Sequence, residues 1–348
     1  MTGRHITRAE PGAEPTRDVL RIVLGPHAAA VAATLARLDI AELLANGPRS
    51  AEDMATDAGT SSSGMLRLLR AAASLGLVDE HDDATFAGNA RTRCFIRGPG
   101  SLRDVAIAMM EPSCFQLLQH LPDAVAKQAP VAADALGTDI WSYRDSHPQA
   151  RLALIDTLVD LDRTVLPAVR EHVDLAGIRC VVQVGGGFGT FLAELLRHAP
   201  KARGVLFDRP RVVERARRMS AGDVAGRIRF AEGDFLERVP PSGDLYVLKG
   251  LLHDLDDESA SLLLDSCYMA AAPGSTLLAI EGVLSDGAFG DPVSRLLDIN
   301  ALVTVNGRER TIDEVEDLFN GAGYTLEKVV PLEQVTFRSI CLLIGRRS

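Results

Sequence analysis

Four glycines break an apolar run near the middle of the chain, in a pattern that can bind a nucleotide-like ligand. The mostly apolar residues 181–184 predict a buried parallel strand and residues 191–196 predict a helix, so Gly185, Gly187 and Gly189 occupy a strand-to-helix turn. Glycine has no Cβ and tolerates positive φ, so a ligand can lie against this backbone and the positive end of the helix. The same turn can also serve only to let the helix pack closely on the strand.

Two acidic residues follow the next two predicted strands. Asp208 comes 23 positions after Gly185, and an acidic residue about 20 positions beyond such glycines can accept two hydrogen bonds from a ribose diol. Asp234 stands where a carboxylate can meet an adenine amino group, and Phe235 can cover the adenine ring. The alternative for Asp234 is an ordinary turn or helix cap.

The spacing of the glycines narrows the ligand class. They stand at the first, third and fifth positions of the turn, whereas a dinucleotide fingerprint requires the sixth, which here is Thr190. The observed spacing resembles the S-adenosylmethionine loop of class I methyltransferases. This resemblance implies S-adenosylmethionine as the cofactor, with S-adenosylhomocysteine as its product.

Short apolar runs alternate with helix patterns from residue 178 onward. This alternation predicts an α/β domain of the Rossmann-like type, in which ligands bind beyond the carboxyl ends of parallel strands. The polar residues that can do chemistry fall at those ends. The predicted strands are 180–184, 204–207, 228–230, 245–248, 277–280, 326–330 and 339–344.

The amino-terminal part of the chain predicts a helix-turn-helix followed by a wing. Two apolar helices over residues 18–45 are interrupted near Gly25, Ser50 begins another helix, and a short extended return lies at 85–87. The apolar faces need a partner, which predicts a homodimer through this domain. The predicted divisions are a flexible leader at 1–17, a winged-helix-like dimerisation domain at 18–100, a helical bridge that contributes to the substrate pocket at 101–176, and the Rossmann-like S-adenosylmethionine-binding domain at 177–348.

A winged helix often binds DNA, but the charges argue against that function here. Residues 1–100 contain eleven arginines and no lysine against twelve aspartates and glutamates, and the recognition-helix position offers only Arg67 and Arg70. A DNA-binding domain needs a basic stripe. We therefore expect a packing or dimerisation module and no nucleic-acid partner.

The overall composition favours an enzyme that acts on a small molecule. The 348 residues are 47% hydrophobic and carry a formal net charge of -10, with a pI of about 5.3. Such an acidic chain is unsuited to binding nucleic acid or anionic lipid broadly. The five cysteines form no CxxC pair and no apolar run reaches the length of a membrane span, so we expect a cytoplasmic protein with no membrane partner.

Two later segments carry a more specific resemblance. Residues 248–258 (LKGLLHDLDDE) and 307–311 (GRERT) are similar to the catalytic segment and a later motif of the caffeic-acid-type and bacterial natural-product O-methyltransferases. The resemblance covers the chain from about residue 18. It implies that His253 is the general base that removes a hydroxyl proton from the acceptor, and that Glu281 and Glu309 orient His253.

The chemistry of methyl transfer explains these residue types. The reaction is an in-line displacement, so the enzyme must hold oxygen, methyl carbon and sulfur in a row. A histidine with an ordinary pKa of about 6.5 is largely neutral near pH 7, and a placed general base contributes roughly 100- to 10,000-fold. A carboxylate on its other ring nitrogen fixes the tautomer.

Several further residues are candidates for binding. Lys249 either lines the carboxylate side of the cofactor or reaches solvent from a strand end. Asp298 and Asn300, on a predicted helix before Glu309, are candidate substrate contacts. No metal site is predicted. An apolar substrate wall, or alternatively ordinary core, is formed by Met109, Met110, Phe115 and Trp141.

The chain departs from the family pattern at three positions. Gln183 replaces the acidic residue that usually stands two places before the first glycine; we expect it to bind the cofactor as a neutral amide that accepts a hydrogen bond. Leu255 replaces a tryptophan common after the histidine-aspartate pair, and Ala301 stands where methionine is usual. These changes bear on the acceptor more than on the fold.

These observations lead to one preferred function and two alternatives. The preferred function is S-adenosylmethionine-dependent methylation of a hydroxyl on a small, fairly apolar natural product of aromatic or polyketide-like type, as in antibiotic biosynthesis. The first alternative keeps the scaffold and cofactor but methylates nitrogen or carbon, or acts as a hydroxylase, decarboxylase or cyclase. The second alternative is a DNA-binding regulator that senses a small ligand, which the charge count argues against.

Overall fold

The computed structural model describes residues 14–219, 222–284, 292–332 and 339–347. The described residues divide into two compact units, one formed by 14–97 together with 101–110 and the other by 98–100 together with the described residues from 111 onward. The segment 101–176, expected to be a bridge, is therefore divided between the units after Met110. Residues 1–13 of the expected leader lie outside the described residues, and residues 14–17 belong to the first helix.

The first unit is a small winged-helix domain. The break expected near Gly25 is confirmed, because one helix ends at Val23 and the next begins at Gly25. Ser50 begins a helix as predicted, since its hydroxyl accepts the Asp53 N–H at 3.1 Å. The elements are α1 (Glu14–Val23), α2 (Gly25–Arg37), α3 (Ile40–Leu43), β1 (Arg49–Ser50), α4 (Ala51–Asp57), α5 (Ser62–Ser74), β2 (Asp79–Glu80), β3 (Thr85–Ala87), α6 (Ala90–Arg93) and α7 (Arg103–Met109).

The strands of this unit form a three-stranded antiparallel sheet in the order β1-β3-β2. Phe86 of β3 is fully buried against the apolar sides of α4 and α5, among them Met54 and Leu69. On α5, Arg70 pairs with Glu80 of β2 at 2.9 Å. One of the two arginines of the recognition-helix position is thus already neutralised within the wing.

Helices precede the main sheet in the second unit. Asp139 caps α11, and Pro148 occupies the first turn of the long helix α12, where its missing N–H costs nothing. A 3₁₀ turn at Leu117–His120 lies between the first two of these helices. They are α8 (Pro112–Phe115), α9 (Leu121–Lys127), α10 (Ala132–Leu136), α11 (Ile140–Ser146) and α12 (Pro148–His172).

The second unit then forms the predicted mostly parallel sheet, which confirms the α/β class. The strand order is β10-β11-β8-β7-β4-β5-β6, and the short β9 also pairs with β8. Strands β4 to β8 pair in parallel, whereas β11 pairs antiparallel with both β8 and β10. The strands are β4 (Cys180–Val184), β5 (Arg203–Asp208), β6 (Ile228–Glu232), β7 (Leu245–Lys249), β8 (Thr276–Leu284), β9 (Arg310–Thr311), β10 (Tyr324–Pro331) and β11 (Ile340–Arg347).

Helices cover both faces of this sheet. Successive strand residues point to opposite faces, so Val181 of β4 packs in one apolar core and Val182 in the other. Residues of α12, α13 and α14 complete the first core, and residues of α15 and α17 complete the second. The remaining helices are α13 (Thr190–His198), α14 (Pro210–Met219), α15 (Asp257–Ala270), α16 (Pro292–Val305) and α17 (Ile312–Gly321).

Among the described residues, no single helix is long and apolar enough to cross a bilayer. Only α1 and α2 taken together reach that length and composition, and they are bent by 54° at the break between them.

Candidate active site

The glycine turn and Asp208 form one hydrogen-bonded unit at the carboxyl ends of β4 and β5. Gly185, Gly187 and Gly189 have φ values of +65°, +54° and +78°, which L side chains rarely adopt. The Gly187 N–H donates to Asp208 Oδ2 at 2.9 Å, and the Arg209 N–H donates to Oδ1 at 2.7 Å. A Cβ at Gly187 would meet no atom within 4 Å. The turn therefore presents open backbone beside the carboxylate.

Asp208 is only 8% exposed. Burial raises the pKa of its carboxyl above the ordinary 3.8, although the two backbone N–H groups act in the opposite direction. Two oxygens that accept one hydrogen bond each still have lone pairs for further donors. The site can thus accept hydroxyl donors from a ligand.

Gln183 lies in β4, just before the glycine turn. Its side chain is 3% exposed, and its Oε1 has no hydrogen-bond partner among the described residues. A buried amide oxygen without a donor costs about 1 to 3 kcal/mol. This oxygen is consistent with a site that is completed by a donor from a bound molecule.

Lys249 ends β7 and is buried in an ion pair. Its Nζ lies 2.7 Å from Asp162 Oδ1, with the two side chains 8% and 4% exposed. The Thr190 hydroxyl, at the end of the glycine turn, donates to Asp162 Oδ2 at 2.6 Å. The alternative of a lysine that reaches solvent is wrong. Asp162 was missed in the sequence, because an aspartate within the long helix α12 carries no local signal.

His253 and Glu281 are in direct contact. His253 lies in a 3₁₀ turn, Leu252–Asp254, directly after β7, and Glu281 lies in the neighbouring strand β8. The Nδ1 of His253 is 2.9 Å from Glu281 Oε2. Glu281 Oε1 accepts the N–H groups of Leu251 and Leu252 at 2.8 Å each. Glu281 is 3% exposed, so its orientation is fixed by the same turn that carries His253.

Two residues after α16 hold the His253 turn, and sequence reasoning assigned no role to either. Arg310 is 3% exposed and donates to the carbonyl oxygens of Leu252 and Leu255 at 2.7 and 2.8 Å. A Cβ at Gly307 would lie 2.0 Å from the His253 carbonyl oxygen. Their place in the GRERT motif was the available signal. Only the structure shows that Gly307 and Arg310 contact the His253 turn.

The third acidic candidate, Glu309, belongs to the segment that packs on the His253 turn through Gly307. Glu309 is 2% exposed, and its N–H donates to Asp298 Oδ1 at 2.8 Å. Asp298, expected to contact substrate, thus holds the backbone of this segment. Asn300 is half-buried on α16, where its carbonyl oxygen accepts the Thr304 hydroxyl.

Asp234, which follows β6, has the geometry of an ordinary turn aspartate, the alternative to an adenine contact. Its exposed carboxylate accepts the Leu236 N–H at 2.9 Å. Phe235 is half-buried and packs against the core that contains Phe207. Their contact with an adenine stays a prediction.

The four residues of the expected substrate wall belong to different units. Met109 ends α7 and Met110 follows it in the first unit, whereas Phe115 ends α8 and Trp141 lies in α11 of the second unit. All four are half-buried. Their common role as a substrate wall stays a prediction.

Comparison with known proteins gives consistent matches over most of the chain. The family model of the O-methyltransferase domain matches residues 118–325, and that of the O-methyltransferase dimerisation domain matches residues 20–98. Phenazine O-methyltransferase of Lysobacter antibioticus is 32% identical over 326 residues, which are 92% of this chain and 94% of that protein. Phenazine-1-carboxylate N-methyltransferase of Pseudomonas aeruginosa is 29% identical over 330 residues, or 92% and 95% of the two chains.

A solved structure agrees in fold. The SAH-bound form of a methyltransferase in calicheamicin biosynthesis superposes with a TM-score of 0.80 at 28% sequence identity, covering 98% of this chain and 100% of that chain. The matched regions contain the glycine turn, Asp208 and the His253 segment.

Proposed function

This chain belongs to the S-adenosylmethionine-dependent O-methyltransferase family, and we propose that it methylates a hydroxyl of a small, fairly apolar natural product with His253 as the general base. The pairing of His253 Nδ1 with Glu281 Oε2 at 2.9 Å carries the proposal. A histidine held this way is suited to removing a proton from a hydroxyl.

The residues around the glycine turn fit S-adenosylmethionine, which, when bound, supplies a methyl group on a positively charged sulfonium. The open backbone at Gly187 leaves room for a ligand that a Cβ would fill. Asp208 would accept the ribose hydroxyls, and the unpartnered Gln183 Oε1 would accept a donor from the amino-acid part. Asp234 and Phe235 would face the adenine. Lys249 would line the carboxylate side while its pair with Asp162 balances its charge.

His253 would take up the acceptor proton on Nε2. A carboxylate is only an acceptor, so the 2.9 Å contact with Glu281 requires the hydrogen on Nδ1 and leaves a lone pair on Nε2. After protonation, the imidazolium has Glu281 on one nitrogen and Asp254 Oδ1 at 3.4 Å from the other. Both carboxylates stabilise the positive charge that develops.

Glu309 would help to orient His253, because its segment packs on the His253 turn. Glu309 is almost fully buried, and the Gly307 contact brings its segment against the histidine backbone. Arg310 fixes the same turn from its carbonyl side. In the second unit, Phe115, Asp298 and Asn300 would bind the acceptor.

The amino-terminal unit would form a homodimer with its copy. Helix α1 exposes a continuous apolar surface, with Ile22 at 78% and Val23 at 65%, and the dimerisation-domain match includes this helix from residue 20. Burial of such residues at an interface is favourable. All five cysteines are free thiols, which supports a reducing, cytoplasmic location. The formal net charge of -10 supports the absence of nucleic acid and of an anionic membrane surface among its partners.

A second candidate function is methylation of nitrogen. It is favoured by the 29% identical relative that is named an N-methyltransferase. A nitrogen acceptor with a free lone pair does not need a base to create the nucleophile, so the importance of His253 separates the two functions.

The test combines labelled cofactor with a panel of aromatic and polyketide-like hydroxyl compounds and their amine counterparts. We expect label in a hydroxyl compound, and a loss of about 100-fold or more in kcat for His253→Ala with unchanged binding of S-adenosylhomocysteine. His198→Ala, at the exposed end of α13, is the matched control. Transfer to an amine with no effect of His253→Ala would favour the second function.

A further inference from the structure

The indole ring of Trp141 lies within cation–π distance of two arginines, and one of them follows Asp208. The Cζ atoms of Arg209 and Arg144 are 5.3 and 5.4 Å from the ring centroid. The backbone N–H of Arg209 is the group that donates to Asp208 Oδ1. The Trp141 indole is therefore connected to the Asp208 carboxylate through a single residue, Arg209.

Helix α11, which carries Trp141, is fixed in this position at its first turn. Asp139 accepts the N–H groups of Trp141 and Ser142 at 2.9 Å each. The hydrogen bonds from Ser142, together with the positive charge of Arg209, lower the pKa of Asp139. Trp141 and its helix cap thus both face Arg209.

Arg144 holds the indole from a second direction. Its Nη2 is 3.8 Å from Cys114 Sγ of α8, while its buried Nε has no hydrogen-bond partner among the described residues. Trp141 is half-buried and packs against the apolar cluster of Leu117 and Ile140. The ring is thereby held in place, with part of its surface left for a ligand.

We propose that Trp141 forms a wall of the adenosyl part of the cofactor site rather than of the acceptor pocket expected from the sequence. The inference rests on the proposed function, because it needs the ribose to bind at Asp208. A flat, rigid indole next to the ribose carboxylate suits the apolar face and edge of a purine nucleoside. Arg209 then links the two: its N–H orients Asp208 and its guanidinium orients Trp141.

The experiment uses the fact that Trp141 is the only tryptophan in the chain. Intrinsic fluorescence of the full-length protein is followed during titration with S-adenosylhomocysteine, with adenosine and with homocysteine. We expect a saturable change in emission with the first two and none with homocysteine. The midpoint for S-adenosylhomocysteine should equal the Kd from calorimetry.

Two pairs of variants extend the test. Trp141→Ala should weaken binding of S-adenosylhomocysteine by roughly tenfold, as expected for loss of an aromatic surface against a base, while Trp141→Phe should keep most of the affinity. Arg209→Gln should weaken binding, whereas Arg217→Gln should not. Arg217 is the matched control, because its Cζ lies 5.1 Å from the Phe230 ring in a similar arginine–aromatic pair.

The outcomes separate this inference from the proposed function. Calorimetric binding of S-adenosylhomocysteine without any change in emission, and with unchanged affinity in Trp141→Ala, overturns the role of Trp141 and leaves the proposed function intact. A response to homocysteine but not to adenosine also overturns it. Folded protein that binds no S-adenosylhomocysteine in the calorimeter overturns both.

Discussion

The Nδ1 of His253 and the Oε2 of Glu281 lie 2.9 Å apart, although one residue follows β7 and the other belongs to β8. The parallel pairing of these strands places both residues toward the carboxyl ends of the strands. Glu281 also accepts two backbone N–H groups from the turn that carries His253. One carboxylate therefore fixes the position, the orientation and the tautomer of the histidine.

Replacing this carboxylate by an amide should impair catalysis without impairing cofactor binding. In Glu281→Gln an amide N–H₂ can face Nδ1 and favour the tautomer with hydrogen on Nε2, which cannot accept a proton. We expect kcat to fall by about 100- to 10,000-fold, as for the corresponding change in a hydrolase triad. The acidic limb of the kcat–pH profile should also move to lower pH, because the imidazolium loses a stabilising charge.

The binding of S-adenosylhomocysteine by this variant, measured by calorimetry, should stay within about threefold of the parent value, since Glu281 contacts His253 rather than the glycine turn. An unchanged kcat and pH profile would contradict the assigned role of Glu281.

A methyl group at Gly307 should displace the His253 turn. Its Cβ would lie 2.0 Å from the His253 carbonyl oxygen and 2.8 Å from Asp254 Cα, so the backbone must move. We expect Gly307→Ala to lower the free energy of unfolding by about 1 to 3 kcal/mol and to reduce kcat strongly. Thermal unfolding and single-turnover rates measure the two effects.

Gly321→Ala is the matched control, because a Cβ there would meet no atom within 4 Å. It should leave both quantities close to those of the parent protein. Equal behaviour of the two variants would show that the close approach of Gly307 to the turn is unimportant.

Cofactor affinity should fall on the acid side through protonation of Asp208. Burial raises the pKa of this carboxyl, so the loss of the hydroxyl acceptor should begin at a higher pH than for an ordinary aspartate of pKa 3.8. Calorimetric titration with S-adenosylhomocysteine from about pH 8 down to the lowest pH at which the protein stays folded measures this effect. Asp208→Asn should bind more weakly and without this pH dependence.

The raised pKa of Asp208 affects folding stability in the opposite direction from cofactor affinity. A carboxyl whose pKa is raised in the folded state contributes stability at low pH, and that contribution is lost as the pH rises through the raised pKa. The Asp208→Asn variant should lose this dependence as well. An affinity that is flat down to the ordinary carboxyl pKa would contradict the assignment of the ribose to Asp208.

A charge on α1 should dissociate the proposed dimer. Ile22 is 78% exposed in the single chain, and Ile22→Glu would place a carboxylate in an apolar interface twice per dimer. We expect the dimer Kd, measured by sedimentation equilibrium, to rise by at least about 100-fold. Met269→Glu on α15 is the control, because Met269 is 79% exposed but lies outside the dimerisation segment. A parent protein that is monomeric at all concentrations would contradict the proposal.

The sequence by itself determined the longer strands of the main sheet and the glycine turn. Each strand of the main sheet predicted from an apolar run is present, because short apolar runs and breaks at glycine are local signals. Gly185, Gly187 and Gly189 have the positive φ that their clustering indicated. Among the described strands of the main sheet, only β9, which has two residues, was not predicted.

Only the tertiary structure decided which side chains meet. Lys249 pairs with Asp162 of a distant helix, Arg310 donates to the carbonyl oxygens of the His253 turn, and Trp141 lies against Arg209. None of these contacts has a sequence period or a fixed spacing, because each depends on how separate helices and strands pack around the sheet. Local patterns depend on residues that are neighbours along the chain. A site depends on side chains that are distant in the sequence and meet only in the folded protein.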